Sequence, residues 1–331
     1  MTNFGKKYSY KKIEHGGVKS LVERAIKLGV KVVAFPKKES LLIMEHRGRK
    51  IFIRRGSVPL ERRMGDMTRN KEVTKMVLEK INIRTPRGIA AYLSGDAHKL
   101  VKINKLRYPL IVKPIEDSLA RGVTWDIRSK KELEKAILKI YKNKSYQKSK
   151  KFLVEEMFEG DEFRVLVMGR KVISCAKKVP ASVTGDGKLT IKQLIKKFNK
   201  KRTKGFKIKI DKVVMKTLQK NKLTLNSILP NKCYLKLRHN LNMSDGGRSI
   251  NYTHKMHKSY KKICERAAET VGLTYGGIDL LTKDITSPRS RYVIIEINPN
   301  PYYNMHEKPL IEGKSVDISY KILKHLFPSL K

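Results

Sequence analysis

Cysteine is scarce in this sequence, with only Cys175, Cys233 and Cys264 among 331 residues. They lie far apart, are odd in number and lack CxxC spacing. That argues against a disulfide framework and fits free thiols in a reducing, cytoplasmic setting. Acidic residues are also few, 30 against 75 Lys and Arg, for a formal charge of +45. No apolar run approaches the roughly 20 residues that cross a bilayer, so no membrane partner is expected. The basic start, Met1 to Lys12, is not followed by an apolar stretch, which predicts no secretory signal. A Gly-x-Ser-x-Gly elbow and a Cys–His nucleophile arrangement are both missing. Internal repeats are missing too.

What is present is a globular composition, 40% apolar, long enough for two or three subdomains. A strongly basic surface attracts nucleic-acid phosphates or acidic substrates. Its densest stretch, Lys196 to Lys212, holds nine Lys or Arg against one Asp. Neither an RNA-recognition aromatic signature nor zinc-finger spacing accompanies it, so nucleic acid is not the favoured partner. Lysine spread over the whole length reads as solvated faces.

The pattern along the chain is mixed α/β in at least two lobes. A helix is expected over 18–28, a strand over 30–35, and a hairpin pairing 41–44 with 51–53. A polar segment with Gly65 and Asp66 leads to a helix near 70–80. A βαβ-like stretch follows: strands at 108–113 and 123–127, then an amphipathic helix over 130–141. Residues 143–151 read as an exposed connection. Strands are then expected at 152–155, 164–168, 171–176, 234–237, 277–281 and 292–297, with helices near 191–198 and 255–271. His254 and His257 could share a helical face, but no third ligand for zinc stands beside them.

Chemistry concentrates in a few strings. In Val293-Ile-Ile-Glu-Ile-Asn-Pro299, Glu296 and Asn298 are two apart and share a strand face. Polar groups on an apolar strand are costly unless compensated, and magnesium, which takes oxygen ligands, compensates them. Asp279, on another apolar strand, adds a third oxygen donor. Lys113 follows an apolar strand and precedes Pro114, which would place an ammonium at the edge of a sheet beside a phosphate. In Leu153-Val-Glu-Glu-Met-Phe-Glu-Gly-Asp-Glu162, an apolar strand runs into acids that can accept from ribose hydroxyls and an adenine amino group.

The order of these strings resembles the ATP-grasp superfamily, and within it the branch of cyanophycin synthetase and the ATP-grasp half of bifunctional glutathione synthetase. The likeness runs from about Gly17 to Pro328. It includes Asn70-Lys-Glu-Val-Thr-Lys75, Tyr108–Pro114, Val179–Ile191, Asn242-Met-Ser-Asp-Gly-Gly247 and Leu326-Phe-Pro328. The resemblance implies an ATP-grasp fold of class α/β (α+β), with two lobes clasping ATP. Residues 1–66 would be a short, trimmed α/β segment, 67–150 the small lobe and 151–331 the large lobe. By position, Lys71 and Lys113 match lysines that contact ATP phosphates. Glu155 and Glu156 fall at the adenine hinge, and Glu162 matches the ribose-binding acid. Arg238 matches an arginine near the transferred phosphate, and Lys178 stands where relatives have arginine. Asp279, Glu296 and Asn298 match the ligands of Mg2+, for which Mn2+ can substitute. The implied activity is ligation of a small-molecule carboxylate to an amine, on amino acids or short peptides, in a chain that could form a homo-oligomer.

Two departures stand out. The glycine-rich phosphate loop of relatives reads here Ile115-Glu-Asp-Ser-Leu-Ala-Arg-Gly-Val123, with Gly122 alone remaining. Where relatives place Pro-Gly, this chain has Asn298-Pro-Asn-Pro-Tyr302. An eroded loop and a charge of +45 define the alternative reading, a basic nucleotide- or nucleic-acid-binding protein that keeps the fold but has weakened turnover.

Overall fold

The computed structural model describes residues 16–34, 41–54, 67–92, 94–116, 122–143, 146–147, 150–200, 202, 204–307 and 314–330. The expectations for residues 35, 65–66 and most of the phosphate loop, 117–121, lie outside the described residues.

Helix α1 (Gly16–Lys27) buries Val18, Leu21, Val22 and Ala25, the three- and four-residue spacing of one helical face. An antiparallel sheet follows, of β1 (Lys31–Ala34), β2 (Leu41–His46) and β3 (Arg49–Arg54). Arg47 and Gly48, both at positive φ, close the β2–β3 hairpin in two residues, as a tight hairpin requires.

Helix α2 (Lys71–Lys80) starts at a cap: Asn70 Oδ1 accepts from the backbone N–H groups of Glu72 and Val73. The cap fixes Lys71 as the first helical residue. The next elements are β4 (Gly88–Ala91), α3 (Ser94–Ile103), β5 (Leu110–Pro114), β6 (Thr124–Ile127), α4 (Lys130–Tyr141) and β7 (Phe152–Glu156). Their strands form a sheet of order β4-β7-β5-β6 in which all neighbours are antiparallel. Strands β6 and β7 therefore run parallel with β5 between them, so the expected βαβ unit is a split one. Lys113 stands on an interior strand and is buried, not at a sheet edge. Leu110, Val112, Leu133, Ile137, Phe152 and Val154 make this lobe's core. Residues 143–151 are not wholly exposed: Tyr146 is buried in that core, its hydroxyl donating to Tyr92 O at 2.9 Å.

The remaining strands are β8 (Asp161–Met168), β9 (Lys171–Val179), β10 (Ser182–Thr184), β11 (Tyr234–Lys236), β12 (Arg248–Asn251), β13 (Tyr275–Thr282) and β14 (Tyr292–Asn298). Five make an antiparallel sheet of order β12-β9-β8-β13-β14. Strands β10 and β11 pair separately beneath α5 (Ile191–Lys200) and α6 (Lys212–Lys220), around Val183, Ile191, Leu194, Val214 and Leu218. Helix α6 lies in lysine-rich sequence, yet Asp211 caps it and Val214 and Leu218 give it a buried seam. Helix α7 (Lys258–Thr270) covers one face of the large sheet. His257 is its N-cap and His254 precedes it in a turn, so the two histidines share no helical face. After β14 come α8 (Asn304–Glu307) and α9 (Ile318–Leu326). Ile322, Leu323 and Leu326 of α9 pack with Leu21 and Val22 of α1, and Ser20 Oγ donates to Glu307 Oε2 at 2.6 Å.

Candidate functional site

Strand alternation builds the site. On β8, Phe163, Val165 and Val167 enter the core under α7, which sends Glu162 and Arg164 to the opposite face. Register carries that face across the sheet. Arg164 stands opposite Asp279, and Asp279 opposite Glu296. Gly277 stands opposite Asn298. On β9, Ala176 pairs with Arg164, and Lys178 lies two residues on. Six polar side chains on four neighbouring strands thus share one face, while Ile278, Leu280, Ile294 and Ile297 line the other. A β-bulge beside Asp279 keeps Glu296 in phase after Ile295.

The cluster is tightly paired. Arg164 donates to Asp279 through Nε (2.5 Å) and Nη2 (2.8 Å), a two-pronged contact. Lys178 Nζ donates to Glu162 and lies 3.5 Å from Asp279 Oδ2. Burial opposes charge on Glu162, Arg164, Lys178 and Asp279. Asp279 is held below the ordinary carboxylate range because Arg164 and Lys178 outweigh its desolvation. Arg164 and Lys178 are pushed up, their burial outweighed first by Asp279. Glu162 goes the other way: burial raises it, and the charge of Asp279 adds to the rise.

A second group meets it from β5, β7 and α2. Helix α2 itself packs through Leu78 into the core of the large sheet, not with β4–β7 as the expected 67–150 lobe would have it. On β5 and β7, Lys113 and Glu155 share the face turned away from their lobe's core and pair at 2.6 Å. Lys71, at the start of α2, lies 3.8 Å from Glu296. Lys71, Lys113, Glu155 and Glu296 line one cavity of about 10 Å3, room for a single water. These side chains close on each other here, and a larger ligand must exchange their contacts for its own.

Eight of the ten residues singled out from the sequence are therefore brought together. Glu156 is not. Alternation sends it to the other side of β7 from Glu155, where it accepts from Arg107 N at 2.9 Å. Arg238 is buried beside the two-stranded sheet and donates to Asp211 Oδ2 at 2.6 Å and Lys209 O at 3.1 Å. Among the described residues no hydrogen bond or ion pair joins it to the six-residue face. Two residues went unread. Arg164 was one, although an arginine at an inward position of an apolar strand is a signal. His306 was the other. It is fully buried, with Nδ1 2.8 Å from Ser174 Oγ and Nε2 without a partner. Burial drives its pKa down to about 3, and Arg164 adds to the fall, so it is neutral.

The donor set suits a hard cation. Asp279, Glu296 and Asn298 offer oxygen only, and Asn298 Nδ2 at 3.5 Å from Asp279 Oδ2 shows the amide beside the carboxylate. Among the described residues no three His, Cys, Asp or Glu side chains form a metal cage.

Comparison with known proteins gives a consistent result. Residues 106–207 match the ATP-grasp domain family. Cyanophycin synthetase of Synechocystis sp. is 33% identical over 269 residues, covering 78% of this chain and 30% of that protein. The glutathione biosynthesis bifunctional protein of Listeria welshimeri is 33% identical over 283 residues, covering 79% of this chain and 34% of its own length. This chain thus spans about a third of the curated relatives it matches. The crystal structure of a bifunctional glutathione synthetase from Pasteurella multocida superposes with a TM-score of 0.70 at 26% identity. That superposition covers 95% of this chain and 44% of the other. Among the described residues no helix is long and apolar enough to cross a membrane.

Proposed function

For a chain that carries an ATP-grasp domain and has the ATP-grasp fold, we propose an ATP-dependent ligase that joins a carboxylate to an amine on amino-acid or short-peptide substrates. The observation that carries this is the meeting of the Asp279, Glu296 and Asn298 face with Lys71 of α2 and Lys113 of β5. One side supplies oxygens for a cation and the other supplies ammonium groups for phosphates.

In the reaction, a carboxylate oxygen bonds to the γ-phosphorus of ATP as the bond to the ADP oxygen breaks. The amine nitrogen then bonds to the acyl carbon, phosphate departs, and the proton shed by the nitrogen goes to solvent. Asp279, Glu296 and Asn298 would hold Mg2+, or Mn2+ in its place, which supplies neutralisation of phosphate charge. Lys71 and Lys113 release Glu296 and Glu155 to bind phosphate oxygens. Glu155 and Glu162 accept from the adenine amino group and the ribose hydroxyls. Lys178 stabilises charge on the transferred phosphoryl group, while Arg238, held by Asp211, takes no part in this arrangement. Arg164 positions Asp279. The protein's part is placement and fixed charge, not covalent chemistry.

The test is ADP release with magnesium, ATP and crossed pools of acids and amines. Release that needs one pool of each sustains the ligase. No ADP from any pair, with strongly salt-dependent binding to DNA or RNA, replaces it with the basic binding protein.

A further inference from the structure

A second cavity, an open cleft of about 1110 Å3, takes no part in the proposed ligation. Its lining includes Met157, Phe158 and Glu159 of the segment that joins β7 to β8, and Tyr292 and Val293 at the start of β14. It is separate from the small cavity around Lys71, Lys113 and Glu296, since only Thr85 and Pro86 line both. That dividing wall is tied at both ends. Arg84 O accepts from Ile294 N at 2.9 Å, and Arg87 O accepts from Glu156 N at 2.8 Å. Alternation along β7 turns Glu156 into the cleft and Glu155 into the small cavity, on opposite sides of the strand.

Five basic side chains line the cleft against three acids, and each acid is already engaged. Glu79 accepts from Thr85 Oγ1 at 2.6 Å and meets Lys75, which lies outside the cleft, at 3.1 Å. Glu156 accepts from Arg107 N at 2.9 Å and lies 3.6 Å from Arg87. Glu159 lies 3.3 Å from Lys283. Arg84, Arg107 and Arg291 are left over: among the described residues no carboxylate pairs with any of the three. All three are exposed, and Arg84 lies over the Tyr292 ring, 5.9 Å from its centroid.

One exposed arginine on so basic a chain is ordinary. Three unpaired ones around a single cleft are not, because apolar walls such as Phe158, Tyr292 and Pro86 focus their field into it. The volume suits a small molecule and far exceeds a lone ion. A monovalent anion would answer one guanidinium. A chain of phosphates carries several charges along its length and offers each planar fork two oxygens.

We propose that this cleft binds an oligophosphate chain through Arg84, Arg107 and Arg291, apart from the phosphate contacts of Lys71 and Lys113. The chain is either a free inorganic oligophosphate or the tail of a second nucleotide. The site does not rest on the ligase reading, since none of these arginines takes part in that reaction.

The experiment titrates inorganic triphosphate into the full chain by calorimetry, at physiological ionic strength and without magnesium, so that Asp279, Glu296 and Asn298 hold no cation to attract it. In Arg84→Gln/Arg291→Gln the affinity should fall about tenfold or more, the size of one charged hydrogen-bonded contact. Lys71→Gln/Lys113→Gln, and Lys216→Gln/Lys220→Gln on the exposed side of α6, should stay within about twofold of the wild type. Arg84→Lys/Arg291→Lys, which keeps the charge and loses the fork, should bind about threefold or more weakly, and it carries the test if the glutamine variant does not fold. No binding by the wild type, full affinity in the folded arginine variants, or an equal loss in either lysine variant overturns the proposal. The source is read in Lys71→Gln/Lys113→Gln. There, ATP as tight as triphosphate assigns a nucleotide tail, and clearly weaker ATP assigns the free chain.

Discussion

Arg164 and Asp279 stand directly opposite each other on β8 and β13, and the guanidinium closes on the carboxylate at 2.5 and 2.8 Å. Their side chains are 11% and 3% exposed, so the pair is essentially dry. Removing one partner strands the other's charge. Arg164→Met should cost about 3–5 kcal/mol of stability, read from urea unfolding. Arg164→Lys should recover only part of it, because a point charge cannot make both contacts. An unchanged midpoint in Arg164→Met would show the pair to be energetically idle.

Stability should fall on the acid side through His306. Its folded pKa is lowered to about 3 from an ordinary 6.5, so between these values the unfolded chain binds the extra proton. The contribution is complete above pH 6.5 and is lost as pH drops toward 3. His239, lowered by burial, acts with the same sign. Urea midpoints at pH 7.5 and 5.0 should therefore differ in the wild type, and by less in His306→Gln. An equal fall in both proteins would remove His306 from the account.

Asn298→Ala and Glu296→Ala should abolish ATP-dependent turnover while leaving circular dichroism and the unfolding midpoint near those of the wild type. Neither side chain is buried, so the fold loses little with them. Near-normal ADP release by Asn298→Ala would overturn the placement of the cation.

Gly277 has no room for a methyl group: a Cβ would lie 2.6 Å from Pro301 Cβ and 3.0 Å from Arg164 Cδ. Gly277→Ala should cost about 1–3 kcal/mol by overpacking. It should also reduce turnover, since relief requires moving either Arg164 or the turn after Asn298. Thermal unfolding and initial rates measured together check both effects.

Much of this was legible because contrast made it so. Helix α4 matched its expected bounds, with Ser129 capping it and Leu133, Ile137 and Ile140 marking its buried face. Asp279, Glu296 and Asn298 stood out as oxygen donors inside apolar strands. Arg164 did not, because one arginine among 75 Lys and Arg offers little contrast. Helix α6 was hidden for the same reason, its two buried residues diluted by lysine. Glu155 and Glu156 look equivalent in a string, and only the start of β7 decides which one faces the other lobe. Strand β12 has four residues, too few for alternation to show. Which strands pair was also beyond local pattern, since β8 finds β13 more than a hundred residues away.

The packing of α1 on α9 has a consequence for synthesis. Ser20 and Ser319 touch across 299 residues, and Leu21 shares a core with Ile322 and Leu326. At ribosomal speeds of roughly 5–20 residues per second, the apolar face of α1 waits about 15–60 s for its cover. Until then that face is exposed apolar surface of the kind that drives aggregation. The core that α1 enters is closed only when α9 emerges.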